Sequence, residues 1–178
     1  MGLVVHLAAD RQHRFSKTPR ETVELISGVG IAGDAHAGTT VQYLSRMRSS
    51  PGAANLRQIH LIHSELLDEL KQAGFSVRPG ELGENLTTRD VPLLALSRGT
   101  RLLIGENVEL EITGLRNPCA QIEAFQPGLL KAVLGRGDDG SVIRKTGVMA
   151  IVVHGGLLAI GDPITVVSPA EFVPLQPV

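Results

Sequence analysis

The stretch that decides the fold is Val108-Glu109-Leu110-Glu111-Ile112-Thr113, which continues as Gly114-Leu115-Arg116-Asn117-Pro118-Cys119. Apolar and polar residues alternate strictly along its first half, which predicts a β-strand with one buried face. The preceding Gly105-Glu106-Asn107 is typical of a hairpin connection to a strand over residues 101–104. The second half ends in the single cysteine of the chain. The pattern therefore places the thiol of Cys119 at a strand exit.

Similar segments along the chain predict a mostly-β fold with minor α content. They are rich in β-branched residues and are separated by Gly, Pro or Asn. The predicted strands cover residues 3–8, 22–27, 57–63, 100–104, 108–115, 148–153 and 164–167. The length of 178 residues suits one domain, and we find no internal repeat or linker. Residues 168–178 contain three prolines and are expected to form an irregular tail.

Two helices are predicted. The first has its N-cap at Ser64, runs to residue 73 and stops at Gly74, with acidic residues early and lysine late. Leu66 and Leu70 lie on one face of it, so we expect this helix to pack on the sheet. A second, short helix is expected over residues 128–134, closed by Gly135.

Composition excludes several classes of protein. The net charge of −1 and an aromatic content of 3% leave neither a basic footprint nor a stacking surface, so nucleic acid is not an expected partner. The apolar runs are too short to cross a bilayer, and the first residues lack the features of a signal peptide. One cysteine cannot form an internal disulfide. We therefore expect a soluble, cytoplasmic protein without a membrane partner.

Charge is nevertheless uneven along the chain. Residues 35–64 contain no Asp or Glu. They do contain three arginines and three histidines, namely Arg46, Arg48, Arg57, His36, His60 and His63. This stretch could bind a small anion, although a run of solvated side chains explains it equally well. A metal shared by His60 and His63 is not expected, because their odd separation in a strand directs them to opposite faces.

The segment Gly28-Val29-Gly30-Ile31-Ala32-Gly33 matches the glycine pattern of dinucleotide sites. That pattern is meaningful only where a helix opens at the pyrophosphate and an acidic residue follows about 20 residues later. Here the later acid is missing, so the glycines are better explained as turn residues.

Taken alone, Cys119 has two interpretations. Free cysteines are among the most buried residue types, which favours an inert core thiol. A thiolate is also a soft ligand and a strong nucleophile, and the guanidinium of Arg116 would stabilise it. Pro118 restricts the backbone around it, so the thiol would be presented from a stiff strand exit.

Four blocks of sequence, considered together, indicate which interpretation of Cys119 is favoured. They are Gly33-Asp34-Ala35-His36-Ala37-Gly38, Arg57-Gln58-Ile59-His60, Pro79-Gly80-Glu81-Leu82-Gly83-Glu84-Asn85-Leu86-Thr87 and Arg116-Asn117-Pro118-Cys119. Their order and spacing resemble the MOSC domain, named for the C-terminal domain of molybdenum cofactor sulfurases. The resemblance spans about residues 28–167.

The resemblance implies a closed or nearly closed β-barrel with a few helices and a cysteine in a pocket. By position, Cys119 would ligate the molybdenum of the pterin cofactor (molybdopterin) or carry sulfane sulfur. The other residues that the resemblance draws into the pocket are Asp34, His36, Arg57, Glu84, Asn85 and Arg116. Arg57, Arg46 and Arg48 are candidates for the phosphate of the pterin. Glu84 and Asn85 either shape the pocket or hydrogen-bond their own turn, and Asp34 and His36 carry the same two interpretations.

Three functions are compatible with this resemblance. The first is a small molybdenum-dependent oxidoreductase component that reduces N-oxygenated or N-hydroxylated compounds, with electrons from another protein, since one cysteine cannot hold a four-thiolate cluster. The second is a sulfur carrier or transferase that uses a Cys119 persulfide and a sulfur-donor protein. The third is a non-catalytic cofactor-binding module. Pyridoxal phosphate is not expected, because the sulfurase domain that binds it exceeds this length, and the oligomeric state is not predicted.

Overall fold

The computed structural model describes the backbone of residues 1–178 and all side chains except those of Ser45, Arg46 and Ser49. Its strands are β1 (Gly2–Ala9), β2 (Thr18–Arg20), β3 (Thr22–Ile26), β4 (Gly30–Ile31), β5 (Ile59–His63), β6 (Leu86–Arg89), β7 (Arg101–Ile104), β8 (Val108–Leu115), β9 (Leu134–Arg136), β10 (Val142–Arg144), β11 (Val148–His154), β12 (Gly156–Ala159) and β13 (Pro163–Val167). Its helices are α1 (Leu44–Ser49), α2 (Ser64–Gln72), α3 (Ala120–Phe125) and α4 (Leu129–Ala132), with a 3₁₀ turn at Leu93–Ala95. Among the described residues, no helix has the length and apolarity needed to cross a membrane.

Seven strands close into a barrel. Their order is β13-β7-β8-β11-β5-β6-β1, and β1 pairs back onto β13 through Gly2 and Ile164. All neighbours are antiparallel except β5 and β6, which run parallel. The structure therefore confirms the predicted mostly-β, closed-barrel fold.

The barrel is filled by the alternating apolar residues that the sequence pattern predicted. In β8, Val108, Leu110 and Ile112 are buried in the main core, while the glutamates between them are only partly covered. A second apolar cluster lies outside the barrel, where Leu66 and Leu70 of α2 pack with Ile122 of α3 and Leu129 of α4. This second cluster holds the segment after Cys119 against the barrel.

Most predicted elements are present with strand ends that differ by one or two residues, and each predicted helix has one end wrong. The hairpin between β7 and β8 is confirmed, as is the helix α2. Ser64 is not its N-cap, however: β5 runs directly into α2, so the extended His63 takes the cap position and no side chain caps the helix. The second helix is limited to α4, because Leu134–Arg136 instead pair with Val142–Arg144 as a two-stranded hairpin.

The glycine-rich segment forms turns, as expected. It makes the hairpin between β3 and β4 and its exit, with φ of +71° at Gly28 and +76° at Gly33. No helix opens after it, because the chain continues through a turn toward Asp34. This turn brings Asp34 to the end of the barrel that also holds Cys119.

The tail after β13 is irregular but hydrogen-bonded to the barrel. Leu115 N–H donates to Gln176 O at 2.8 Å, and Arg98 N–H donates to Val173 O at 2.9 Å. A Cβ placed on Gly114 would lie 2.4 Å from Gln176 O, so this glycine allows the close approach. The tail therefore covers the end of β8 immediately before the cysteine segment.

Candidate functional site around Cys119

The exit of β8 is pinned to the start of β11. Arg116 N–H donates to Gly147 O at 3.1 Å, and the hydroxyl of Thr146 donates to Arg116 O at 3.1 Å. Gly147 has a φ of +82°, and a Cβ there would lie 1.9 Å from Leu61 O. The backbone that carries Arg116 is therefore fixed by a contact that only glycine permits.

Cys119 follows in extended backbone and immediately precedes α3. Its Sγ lies 3.8 Å from Nη2 of Arg116 and 3.6 Å from Oε1 of Gln121. The thiol is half-buried, so it is not the inert core thiol that its residue type alone would favour. Arg116 is largely buried and also donates to Asn117 O at 3.2 Å. A polarising cation thus stands beside an accessible sulfur.

The thiol lies at the edge of a small cleft. Arg116 and Gln121, which both contact Sγ, belong to its lining. The other lining residues are Arg14, Phe15, His36, Tyr43, His60, Leu82 and Gly83. None of these described residues is acidic, so the cleft suits an anionic or electron-rich ligand.

Asp34 forms the centre of a buried polar network beside the cleft. Its Oδ2 accepts hydrogen bonds from Lys17 Nζ at 2.5 Å, from Asn85 Nδ2 at 3.1 Å and from Asp10 N–H at 3.2 Å. Its Oδ1 accepts the His36 N–H at 2.9 Å. The side chains of Lys17 and Asp34 are 3% and 1% exposed. Asp34 is therefore a buried and fully paired carboxylate.

These contacts determine the charges of the network. Burial alone would raise the pKa of Asp34, but its contacts with His36, whose backbone N–H donates to Oδ1, and with the ammonium of Lys17 outweigh this effect and hold that pKa well below its usual range. Burial lowers the pKa of His36, and Lys17 lowers it further, against the opposing effect of Asp34. The arrangement favours an ionised Asp34 beside a neutral His36.

Ring contacts connect this network to Arg57. The centroid of the His36 ring lies 4.5 Å from that of the Tyr43 ring, and the His13 ring contacts the His36 ring edge-on with a centroid distance of 5.1 Å. The guanidinium of Arg57 lies over the Tyr43 ring, 3.9 Å from its centroid. Arg57, predicted as an anion-binding residue, therefore reaches the site through Tyr43.

His60 is a buried neutral imidazole in the wall of the cleft. Its Nε2 lies 2.7 Å from Thr146 O and donates to that carbonyl. Burial, reinforced by the charge of Arg116, lowers its pKa to about 3. His60 is therefore part of the cleft lining together with Arg116, and its ring is held by the backbone of Thr146.

The structure separates the roles of Glu84 and Asn85. Glu84 is fully buried, and its Oε1 accepts the Gly80 N–H at 2.6 Å, so it braces its own turn, where burial raises its pKa. Asn85 Oδ1 accepts the His60 N–H at 3.1 Å, while its Nδ2 donates to Asp34 and to Ala8 O. Asn85 therefore joins β1, β5 and Asp34 and supports the site indirectly.

The predicted residues are not all brought together. Cys119, Arg116, His36, Asp34 and Arg57 surround the cleft or its immediate wall. Arg48 is exposed on α1, and the side chain of Arg46 lies outside the described residues. Sequence reasoning missed Lys17, Tyr43 and Gln121. Lys17 carried no signal, whereas Tyr43, the only tyrosine, lies inside the acid-free stretch already singled out.

The described side chains contain no group of three His, Cys, Asp or Glu residues placed to hold a metal. The cleft itself measures only about 60 Å³. Tyr43 also borders a cavity of about 240 Å³, and Arg14 also borders a groove of about 740 Å³.

Fold and site together define a β-barrel domain with one thiol at the edge of a cationic cleft. A family model for the MOSC domain matches residues 36–165, and the chain belongs to this family, which is associated with the molybdenum cofactor.

Solved structures support the assignment. The YuaD protein from Bacillus subtilis is 26% identical, with a TM-score of 0.77 over 95% of this chain and 97% of that one. YiiM from Geobacillus stearothermophilus is 18% identical, with a TM-score of 0.64 over 94% of this chain and 76% of that one. YiiM from Escherichia coli is 19% identical, with a TM-score of 0.64 over 98% and 73%. The two YiiM structures show the fold alone, and no curated protein matches the chain.

Proposed function

We propose that this protein binds the molybdenum cofactor with Cys119 as the protein ligand of the metal. The observation that carries the proposal is the half-buried Sγ of Cys119, 3.8 Å from the Arg116 guanidinium at the edge of a cleft without acidic lining residues. A soft thiolate suits a metal that already carries sulfur ligands, and a cationic wall suits the phosphate and the charge of the pterin. The donor set therefore fits this cofactor.

Different residues of the chain would hold different parts of the cofactor. Arg116 remains beside the sulfur of Cys119 because its backbone is held by Thr146 and Gly147, immediately before β11. Arg57, held on the face of Tyr43, offers a guanidinium for phosphate. The pterin needs more space than the cleft provides, and in this proposal it occupies the cavity that Tyr43 and Arg57 border.

As a reaction, we propose the reduction of small N-oxygenated or N-hydroxylated compounds. Each N–OH group takes up two electrons and two protons, the N–O bond breaks, and an N–H group and water are formed. When bound, the cofactor supplies the two-electron redox chemistry, and an external donor protein supplies the electrons. The cleft contributes hydrogen-bond donors at His36, Tyr43 and Arg116 toward the substrate oxygen.

Metal analysis tests this proposal. Protein purified from molybdate-supplied cells should contain molybdenum, and Cys119→Ser should lower that content by about tenfold or more, as loss of a ligand does. Thr165→Ala, an exposed change on β13, is the matched control and should retain the metal. Equal molybdenum in wild type and Cys119→Ser would refute the proposal.

A sulfur carrier is the second candidate, favoured by the accessibility of Sγ and its polar neighbour Gln121. In this function the Cys119 thiolate attacks the sulfane sulfur of a donor, forms a new S–S bond and releases the donor as a thiol. Mass spectrometry after exposure to such a donor should then show one added sulfur on Cys119. Molybdenum retention without any added sulfur would favour the oxidoreductase instead.

A further inference from the structure

The ring nitrogen Nδ1 of His36 lies close to both the ammonium of Lys17 and the carboxylate of Asp34. It cannot accept a hydrogen bond from the first and donate one to the second in the same neutral state. The Nζ of Lys17 lies 2.5 Å from Asp34 Oδ2 and 3.2 Å from His36 Nδ1. The same Nδ1 lies 3.3 Å from Asp34 Oδ1. An ammonium only donates and a carboxylate only accepts, so the protonation of Nδ1 decides which of these contacts is a hydrogen bond.

The carboxylate of Asp34 has little need of a proton from Nδ1. It already accepts from Lys17, Asn85 and the backbone N–H groups of Asp10 and His36. A further donor at 3.3 Å would be the longest of these contacts. By contrast, Nδ1 is the second acceptor that the described side chains offer to the Lys17 ammonium. With a proton on Nδ1, the buried ammonium would lose this second acceptor and would face another N–H group.

We propose that Lys17 is a positioning residue that holds His36 as the neutral tautomer with its proton on Nε2. Lys17 donates to Nδ1, and Asp34 in turn fixes Lys17. The His36 ring also contacts the rings of His13 and Tyr43, and these contacts restrict its orientation without any ligand.

The consequence lies in the cleft. Because Nδ1 faces the buried pair, Nε2 is the nitrogen left to face the cleft that the ring lines. His36 then presents a fixed N–H donor to an acceptor oxygen of whatever binds beside Cys119. This role in the cleft, although not the tautomer itself, rests on the proposed function.

Nitrogen-15 NMR of the histidine side chains tests the proposal on the metal-free protein. Long-range proton–nitrogen correlations distinguish the two neutral tautomers, and the His36→Gln variant identifies the His36 signals among the six histidines. Wild type should show the proton on Nε2. A proton on Nδ1 in the wild type would overturn the proposal without any variant that has to fold.

The Lys17→Met variant provides the sharper test. Without the ammonium, Nδ1 should take the proton and donate to Asp34, so the tautomer should switch. The control His13→Gln removes a ring contact of His36 but leaves Lys17 in place, and it should keep the proton on Nε2. A Lys17→Met protein that keeps the wild-type tautomer, or a His13→Gln protein that switches, would overturn the role of Lys17.

Metal analysis of the same proteins separates this inference from the proposed function. If wild type has the proton on Nε2 but contains no molybdenum after purification from molybdate-supplied cells, the proposed function alone is contradicted. Molybdenum in wild type with the proton on Nδ1 would contradict the positioning role alone.

Discussion

Two sets of residues at or beside the cleft differ in how their polar groups are paired. We call Lys17, Asp34 and Asn85 the buried wall, and Arg116, Cys119 and Gln121 the thiol wall. In the buried wall, four donors converge on one carboxylate at 2.5 to 3.2 Å. In the thiol wall, the sulfur has only long contacts of 3.6 and 3.8 Å, and Arg116 forms no ion pair with any described carboxylate. The hydrogen bonds of the buried wall make it rigid, whereas the sulfur and the guanidinium of the thiol wall remain available to a ligand.

The thiol wall is held mainly by backbone contacts of Gly147, which accepts the Arg116 N–H and packs against Leu61 O. The variant Gly147→Ala tests how much these contacts stabilise the protein. A Cβ would lie 1.9 Å from Leu61 O, and the φ of +82° is unfavourable for alanine. We expect a loss of about 5 kcal/mol in the free energy of unfolding, or failure to fold, because β5 and β11 must separate.

The matched control is Gly140→Ala, where φ is +81° but no atom lies within 4 Å of the added Cβ. This variant should lose only about 1 to 2 kcal/mol, the cost of the backbone conformation alone. Denaturant unfolding measures both. Similar losses in the two variants would show that the contact with Leu61 does not matter.

Lys17→Met tests the buried wall. It leaves Asp34 as a buried carboxylate without its cation, which should cost about 3 to 5 kcal/mol of unfolding free energy. Arg101→Met, which removes a partly exposed partner of Glu109 and Glu111, should cost about 1 kcal/mol or less. A Lys17 variant as stable as the Arg101 variant would contradict the view that this wall depends on the ion pair.

The sequence predicted the barrel better than it predicted the site. Alternation in β8 identifies a strand because burial of one face is a local property of that segment. The partnership of Lys17 with Asp34 is not local, since it depends on the return of the chain from β2 to the turn after β4. Nothing in the residues around Lys17 distinguishes it from a surface lysine.

The errors have physical causes as well. A helix was expected to reach residue 134, but Gly137-Asp138-Asp139-Gly140 forms a tight turn that pairs β9 with β10. The Ser64 cap was expected from residue type, yet β5 leads into α2 without a loop residue. In both places, pairing with a neighbouring segment outweighed the local preference. The proximity of Arg116 to Cys119 was predictable because the two residues are three positions apart at one strand exit.

His60 connects the two walls, and its pKa predicts a pH dependence of stability. The folded pKa of about 3 lies below the ordinary value of 6.5, so the unfolded chain binds this proton more readily between those values. Stability should therefore fall as the pH is lowered from about 6.5 toward 3, by up to about 1.4 kcal/mol per pH unit from this group. Burial lowers the pKa of His36 and His63 too, so they add to the same trend.

Unfolding of wild type and His60→Gln at several pH values isolates this contribution. Glutamine can still donate to Thr146 O but does not titrate, so the slope between pH 6.5 and 4 should be shallower in the variant. An unchanged slope would show that other groups produce the acid sensitivity.

The smallest effect on stability is expected at the residue with the largest expected effect on function. Cys119→Ser replaces a half-buried thiol that has only long polar contacts, so the free energy of unfolding should change by about 0.5 kcal/mol or less. If the thiol wall is functional rather than structural, the same variant must lose its molybdenum while unfolding like wild type. A loss of 2 kcal/mol or more, well above the roughly 0.5 kcal/mol of a surface change, would instead make Cys119 part of the framework. The contrast between the two walls would then no longer hold.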